Sequence, residues 1–283
     1  MNDKPKVNPN EISDHIQEIK YTGFTKIKKF LNTDLISRLL ELIHQNYKGY
    51  KDLKNVSPNQ ALDKYIYHLQ FIDPFFIQIL SRSNILEILN PFLNDPYYRK
   101  IPDNLPNYTL AYYNARSSIA PLDLHMDSHI PFLGDHLLSM QIFISLNGQS
   151  KKNGATIVVP GSHLTNNYAY RKRTLNSQLI IDCDPGDAII IDSRLWHGAL
   201  ENKSKADRWS LVATFKPWWL KQNYDPIRGI SEDIFSKLND NEKALLGLLS
   251  LPPLDETEKV STKEGYEGLL GSMKEYRERR IHE

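Results

Sequence analysis

Ala188-Ile189-Ile190-Ile191-Asp192-Ser193-Arg194-Leu195-Trp196-His197-Gly198 is the stretch on which the reading of this chain turns. β-Branched side chains such as isoleucine crowd a helix and suit a pleated strand. Residues 188–192 therefore read as a short strand. Pro185-Gly186-Asp187 marks a turn ahead of it, and a histidine, His197, follows its far end.

Other short β-type runs surround this one: Tyr108 to Asn114, Leu137 to Leu146, Thr156 to Pro160, Gln178 to Asp182, and Arg208 to Lys216. Gly, Pro, Asn and Asp separate them, a pattern of sandwiches and barrels. Further out, Tyr21 to Phe30 alternates apolar and charged residues and reads as a strand. Asn32-Thr33-Asp34 offers N-caps for an amphipathic helix in which Leu35, Ile36, Leu39, Leu40, Leu42 and Ile43 recur at helical spacing to about Tyr47. Residues 48–60 read as a loop, and Phe75 to Leu89 as a second helix ended by Pro91. Ser231 to Leu249 reads as one helix capped by Ser231 and broken by Pro252-Pro253, with a charged tail beyond and a short helix near Leu269–Arg279. The expectation is a mainly β protein with helices at both ends, in a single domain over residues 1–283. Its N-terminal strand and helices span about 20–106, its β core about 107–220, and its C-terminal helical segment and tail about 221–283.

Composition narrows the function. The chain has 283 residues, enough to bury a full core without disulfides. Lysine plus arginine number 35 and aspartate plus glutamate 34, a net charge of +1. Without a basic excess or a charge run, neither a nucleic-acid nor a membrane partner is expected. Cys183 is the one cysteine, which fits a reducing compartment. The opening residues lack the apolar core of a signal peptide, and a cytoplasmic location is expected.

The residues that carry chemistry are His125, Asp127 and His197. Side chains two apart on a strand point to one face, so His125 and Asp127 can hold one cation together. In an antiparallel sandwich the strand leading to His197 can lie beside them. Two histidines and one carboxylate on one face leave coordination positions open, as in non-haem Fe(II) oxygenases. A structural zinc site usually draws four ligands with cysteine among them, and only Cys183 is available. His-x-Asp alone is a weak signal, but Arg208 strengthens it. It opens the apolar strand Trp209-Ser210-Leu211-Val212-Ala213-Thr214-Phe215, on one face with Ser210 and Val212. A guanidinium near an iron site can grip a carboxylate through two parallel hydrogen bonds, which is what the distal carboxylate of 2-oxoglutarate needs.

Taken in order, His125-x-Asp127, Asn153-Gly154-Ala155-Thr156-x-x-x-Pro160-Gly161-Ser162-His163, Pro185-Gly186-Asp187, Asp192-x-Arg194-x-x-His197-Gly198 and Asn202-x-Ser204-x-x-x-Arg208 resemble the phytanoyl-CoA dioxygenase family. The early Tyr21-Thr22-Gly23-Phe24 and the helix after it add to the resemblance, which spans roughly residues 20–220. It implies a double-stranded β-helix (a jelly-roll, cupin-like core) and an Fe(II)/2-oxoglutarate-dependent dioxygenase that uses O2 on a small-molecule substrate and releases succinate and CO2. It implies His125, Asp127 and His197 as iron ligands and Arg208 as the partner of the 2-oxoglutarate carboxylate. Gln141 and Phe143 match pocket-facing positions. Many relatives carry Ser or Thr two residues after the distal histidine, where this chain has Ala199; either Thr156, a tyrosine such as Tyr112, or water replaces that hydroxyl, or 2-oxoglutarate is held less firmly. Halogenating relatives replace the carboxylate by a small residue, so Asp127 points to a hydroxylase rather than a halogenase.

Two other readings compete. A cupin-like lyase or isomerase with another cation would have no need of Arg208. A non-catalytic binding protein on the same fold draws slight support from Ala199. Of the remaining residues, His129 follows the triad strand, His163 reads as a turn residue, Asp192 and Arg194 as a pair, and Trp218-Trp219 as packing or a lid. Substrate and oligomeric state are not encoded in any motif.

Overall fold

A computed structural model describes residues 9–47, 64–95, 101–128, 130–131, 136–169, 175–204 and 206–250. The expected loop at 48–60, the Pro252-Pro253 break, the helix near Leu269–Arg279 and His129 lie outside the described residues. Contacts divide the chain into two compact units.

The larger unit (Asn8–Tyr67 and Tyr113–Thr214) carries most of the β structure. In chain order the elements that build it are α1 (Pro9–Thr22), β1 (Phe24–Ile27), α2 (Thr33–Tyr47), β2 (Lys64–Tyr67), β3 (Tyr108–Ser117), β4 (Leu122–His125), β5 (Met140–Ser145), β6 (Thr156–Val158), β7 (Leu179–Ile181), β8 (Ala188–Asp192), β9 (His197–Ala199) and β10 (Ser210–Pro217). The unit boundaries fall inside β3 and β10. Two sheets form, one ordered β1-β8-β5-β10-β3-β2 and one ordered β4-β9-β6-β7. This is the expected mainly β, jelly-roll arrangement with flanking helices.

The isoleucine run is β8, and every residue in it is buried. It lies between β1 and β5, antiparallel to both, with Ile190 opposite Thr25 and Ile142. Alternation sends Ile189 and Ile191 to one side, where they meet Val158, Ile181, Cys183 and Leu195. Those residues belong to the second sheet and its connections, so this cluster joins the two sheets. Each such side chain contributes about 1.5–3 kcal/mol when fully buried. On the other side α1 lies against β1 and β8. The Cys183 thiol sits in this apolar cluster, and burial pushes its pKa up to about 12. It is held as a thiol and packs as a small hydrophobe.

The Pro-Gly-Asp turn ties β8 to the N-terminal segment. Gly186 has φ +91°, its carbonyl accepts Leu31 N–H at 3.0 Å, and its N–H donates to Ser145 O at 2.7 Å. Asp187 accepts the backbone N–H of Lys29 at 2.9 Å and of Asp184 at 3.1 Å.

The smaller unit holds α3 (Pro74–Leu80), α4 (Ser83–Leu93), α5 (Pro226–Gly229), α6 (Glu232–Phe235) and α7 (Asp240–Leu245). Its core includes Ile101, Leu105, Ala244 and Leu249. Trp219 is exposed, while Trp218 is half-buried.

Several sequence expectations need correction. The strand expected over Tyr21 to Phe30 is only Phe24–Ile27, because α1 runs on to Thr22 and Gly23, at φ +89°, ends it. The helix expected over 75–89 is two, broken at Ser81-Arg82, and Pro91 lies inside α4 rather than beyond it. Its missing N–H leaves the Glu87 carbonyl without the usual i−4 partner in the last turn of α4. The helix expected over 231–249 is also two. Ser231 caps the first, and Asn239 and Glu242 then form a capping box that starts the second. Strand β2 has no counterpart among the sequence expectations.

Gly186→Ala should lower stability in urea unfolding by about 2 kcal/mol or more, since left-handed backbone costs an L residue about 1–2 kcal/mol and the new Cβ would meet the Leu31 carbonyl. An unchanged midpoint would contradict this role for the turn.

Candidate metal centre

β4 and β9 are antiparallel neighbours, with His125 opposite His197. Their ring centroids are 4.3 Å apart. Asp127 lies between them: His125 Nε2 is 3.4 Å from Oδ1, and His197 Nε2 is 3.5 Å from Oδ2. Ligand atoms of all three residues lie within 4.8 Å of one another. Neighbouring ligands about 2.0–2.2 Å from one cation sit about 3 Å apart in octahedral geometry, so a small contraction suffices to seat an ion. Among the described residues this is the one such group.

The triad meets for a different reason from the one the sequence implies. β4 ends at His125, and Asp127 lies beyond the strand. Strand alternation therefore does not place its carboxylate. The N–H groups of Asp127 and Ser128 both donate to Ser193 O at 2.9 Å. Ser193 occupies the turn after β8, closed by the Asp192–Arg194 ion pair at 2.7 Å and by Asp192 accepting Arg194 N–H at 2.8 Å. One turn thus sets both Asp127 and the approach to His197.

Each imidazole is oriented by a backbone carbonyl two residues before it. His125 Nδ1 is 2.9 Å from Asp123 O, and His197 Nδ1 is 2.9 Å from Leu195 O. A carbonyl only accepts, so each Nδ1 carries hydrogen and each Nε2 is left as donor to Asp127 or ligand to a metal. Gln141 donates its amide N–H to Asp127 Oδ2. The Phe143 ring stands 5.9 Å from His197. Both side chains come from β5.

Burial alone would raise the Asp127 carboxyl pKa. Hydrogen bonds and charge from His125 and His197 outweigh it and hold the group well below the ordinary carboxylate range. Burial would lower His125, but the Asp127 hydrogen bond and charge raise it overall, while the nearby Arg116 charge opposes the rise. The side chains of His125 and Asp127 are 25% and 28% exposed and that of His197 4%, so the group opens to one side only.

Arg208 and Thr156 each belong to a buried hydrogen-bonded group. Arg208 is buried; its guanidinium donates to Gly154 O, and its N–H donates to Ser117 Oγ at 2.8 Å. Thr156 Oγ1 donates to Gln149 Oε1 at 2.9 Å, and Gln149 Nε2 donates to Ser210 Oγ at 3.0 Å. Thr156 is also the cross-strand partner of Ala199. Directly opposed residues share a sheet face, so the Thr156 hydroxyl stands beside the position where a hydroxyl at 199 would be. Tyr112 lies on β3 and is half-buried, on the strand face shared with Asn114 and Arg116.

The remaining motif residues are structural. Ser162 Oγ accepts Trp196 N–H at 2.8 Å, Gly161 N–H donates to Thr22 O at 2.9 Å, and buried His163 has Nε2 3.2 Å from Lys20 O. His136 is exposed. The sequence reading missed the Ser193 carbonyl, which has no side-chain signature, and Arg116, which lies close enough to His125 to act on its charge.

Residues 20–210 match the family described as phytanoyl-CoA dioxygenase (PhyH). The chain belongs to this family. Dioxygenase cdmA of Talaromyces verruculosus is 36% identical over 222 residues, 71% of each chain. An uncharacterized protein of Mycobacterium tuberculosis, Rv1501, is 28% identical over 181 residues, 63% of this chain. The chain spans 64% of the length of that mycobacterial relative. Among solved structures, the epimerase SnoN, in complex with Fe3+, alpha ketoglutarate and nogalamycin RO, superposes with a TM-score of 0.58 at 14% identity, over 74% of this chain and 84% of SnoN. At that identity the likeness is one of fold. No described helix is long and apolar enough to cross a membrane.

A metal must displace the proton from His125 before it can bind there. Because the metal-free His125 pKa is raised above its ordinary 6.5, cobalt(II) affinity followed by visible absorption should begin to fall above pH 6.5 as the pH is lowered, and then drop about tenfold per pH unit for each proton displaced. Asp127 stays ionised throughout this range. Affinity that holds constant down to pH 6 would contradict the assignment.

Proposed function

We propose that the protein is an Fe(II)/2-oxoglutarate-dependent dioxygenase that oxidises a small molecule, most simply by hydroxylation. The observation that carries this reading is the one-sided His125/Asp127/His197 group. Two Nε2 atoms and one carboxylate converge, and the partly exposed side leaves positions for other ligands. This donor set suits a redox-active divalent iron better than a closed four-ligand zinc.

Both imidazoles would bind through Nε2, with Nδ1 fixed on a carbonyl. Asp127 would bind through one carboxylate oxygen while Gln141 holds Oδ2. When bound, iron and 2-oxoglutarate would supply the oxidation of an unactivated C–H bond, with succinate and CO2 as co-products. Arg208 would bind the distal carboxylate of the cosubstrate, since a buried guanidinium offers paired N–H donors to an anion. Thr156 would stand in for the hydroxyl that relatives place at 199. The Phe143 ring, 5.9 Å from His197, would lend the site one apolar side.

The presence of Asp127 leaves no ligand position for a halide in its place, which favours hydroxylation over halogenation. The SnoN likeness marks epimerisation as another outcome on this fold, and product analysis separates the two. We also propose a single functional domain over both units, acting in the cytoplasm.

Anaerobic protein with Fe(II) and 2-oxoglutarate should develop a weak visible charge-transfer band, and admission of air should yield succinate. Arg208→Ala should raise the 2-oxoglutarate concentration needed for half the band by about tenfold or more, the loss of a charge-assisted hydrogen-bonded pair. Correctly folded protein that gives neither band nor succinate sinks the reading; an unchanged 2-oxoglutarate requirement removes Arg208 from it.

A further inference from the structure

A second arginine faces the metal centre. Arg116 lies on β3, opposite Tyr65 of β2. Its guanidinium carbon is 6.0 Å from the centroid of the Phe143 ring. The same ring is 5.9 Å from His197, and the His197 ring is 4.3 Å from that of His125. Arg116 thus caps the aromatic wall of the site and stands on the triad's side of β5.

Arg116 is half-buried. Among the described residues no carboxylate pairs with its guanidinium and no acceptor takes a hydrogen bond from it. A guanidinium in such a place keeps five N–H donors for an incoming group. Two residues earlier on the same face of β3, the buried Oδ1 of Asn114 has no donor. The strand therefore presents a cationic donor and an unmet acceptor side by side.

A positive charge beside a cation-binding site is unfavourable by itself. Like charges repel, so the Arg116 guanidinium, set across the Phe143 ring from His197, disfavours a cation at the triad. A bound anion removes that penalty. With the reading above, the carboxylates of 2-oxoglutarate already have their cations, one at the metal and one at Arg208. Asp127 is taken up by the triad. Arg116 remains for an anion of another molecule.

We propose that Arg116 is a specificity-determining residue that binds the carboxylate of the organic substrate, so that the enzyme acts on a carboxylic acid held across Phe143 beside the metal. This inference rests on the proposed dioxygenase reading, which supplies the other occupants of the site. Asn114 would accept a hydrogen bond from a hydroxyl or amine of the same substrate.

Benzoate and its neutral isostere benzamide test the charge preference directly. Saturation-transfer NMR is run on the full chain with zinc(II) and 2-oxoglutarate added, which fill the metal and Arg208 positions without paramagnetism or turnover. Wild type should bind benzoate about tenfold or more tightly than benzamide, as expected for a charge-assisted hydrogen bond. Arg116→Gln should abolish that preference, and Arg116→Lys should restore part of it, with melting curves confirming that both variants fold. In a second arm the anaerobic Fe(II) charge-transfer band is titrated with 2-oxoglutarate. Arg116→Gln should shift the half-point by less than about threefold.

Equal binding of benzoate and benzamide by wild type, or of benzoate by wild type and Arg116→Gln, overturns the proposal. A tenfold loss of 2-oxoglutarate affinity in Arg116→Gln also overturns it, because it assigns the arginine to the cosubstrate. Failure of the dioxygenase reading looks different: the charge-transfer band is then absent from wild type itself.

Discussion

The carboxylate of Asp127, held between two imidazoles, is the interaction on which the site depends. Burying a carboxylate is costly unless hydrogen bonds and opposite charge offset the lost water. Here His125 and His197 approach its two oxygens from either side, and Gln141 adds a donor. The balance favours the ionised form despite the burial. That is the state a divalent cation requires. His125, Asp127 and His197 would together hold such a cation, with the carboxylate already ionised.

The scaffold supplies this arrangement from one place. β8 is anchored on both edges by β1 and β5 and packed through Ile189 and Ile191 against the second sheet. Such a strand has little freedom, so the turn after it is a fixed point. The Ser193 carbonyl then gathers the backbone at Asp127, and Leu195 orients His197. The two arginines lie in different surroundings. Arg208 is buried against Gly154, while Arg116 stands half-buried over Phe143. Under the proposed reading, the two cations would receive two anionic molecules without placing both on one residue.

How far the sequence could be read depends on which forces placed each residue. Periodicity marked α2 and β8 because burial along a regular element repeats at a fixed spacing. It failed where local capping competes with continuity, as at Asn239, where a side chain takes the N–H of Glu242 and starts a new helix. The three metal-type residues were legible from their chemistry and order. The stated geometric reason was wrong for Asp127, which is placed by a main-chain hydrogen bond that any residue type could make. Arg116 was hidden because alternation along β3 separates two faces without saying which one meets Phe143. Ala199 was legible as a departure, and its cross-strand partner Thr156 became visible only with the register of β6 and β9.

The most direct measurement is a crystallographic anomalous difference map at the iron edge, from crystals grown anaerobically with Fe(II). One peak should lie about 2.0–2.2 Å from His125 Nε2, His197 Nε2 and one Asp127 oxygen, with no further protein ligand. A peak elsewhere, or one at this group completed by a fourth protein side chain, would contradict an open iron site built on Asp127.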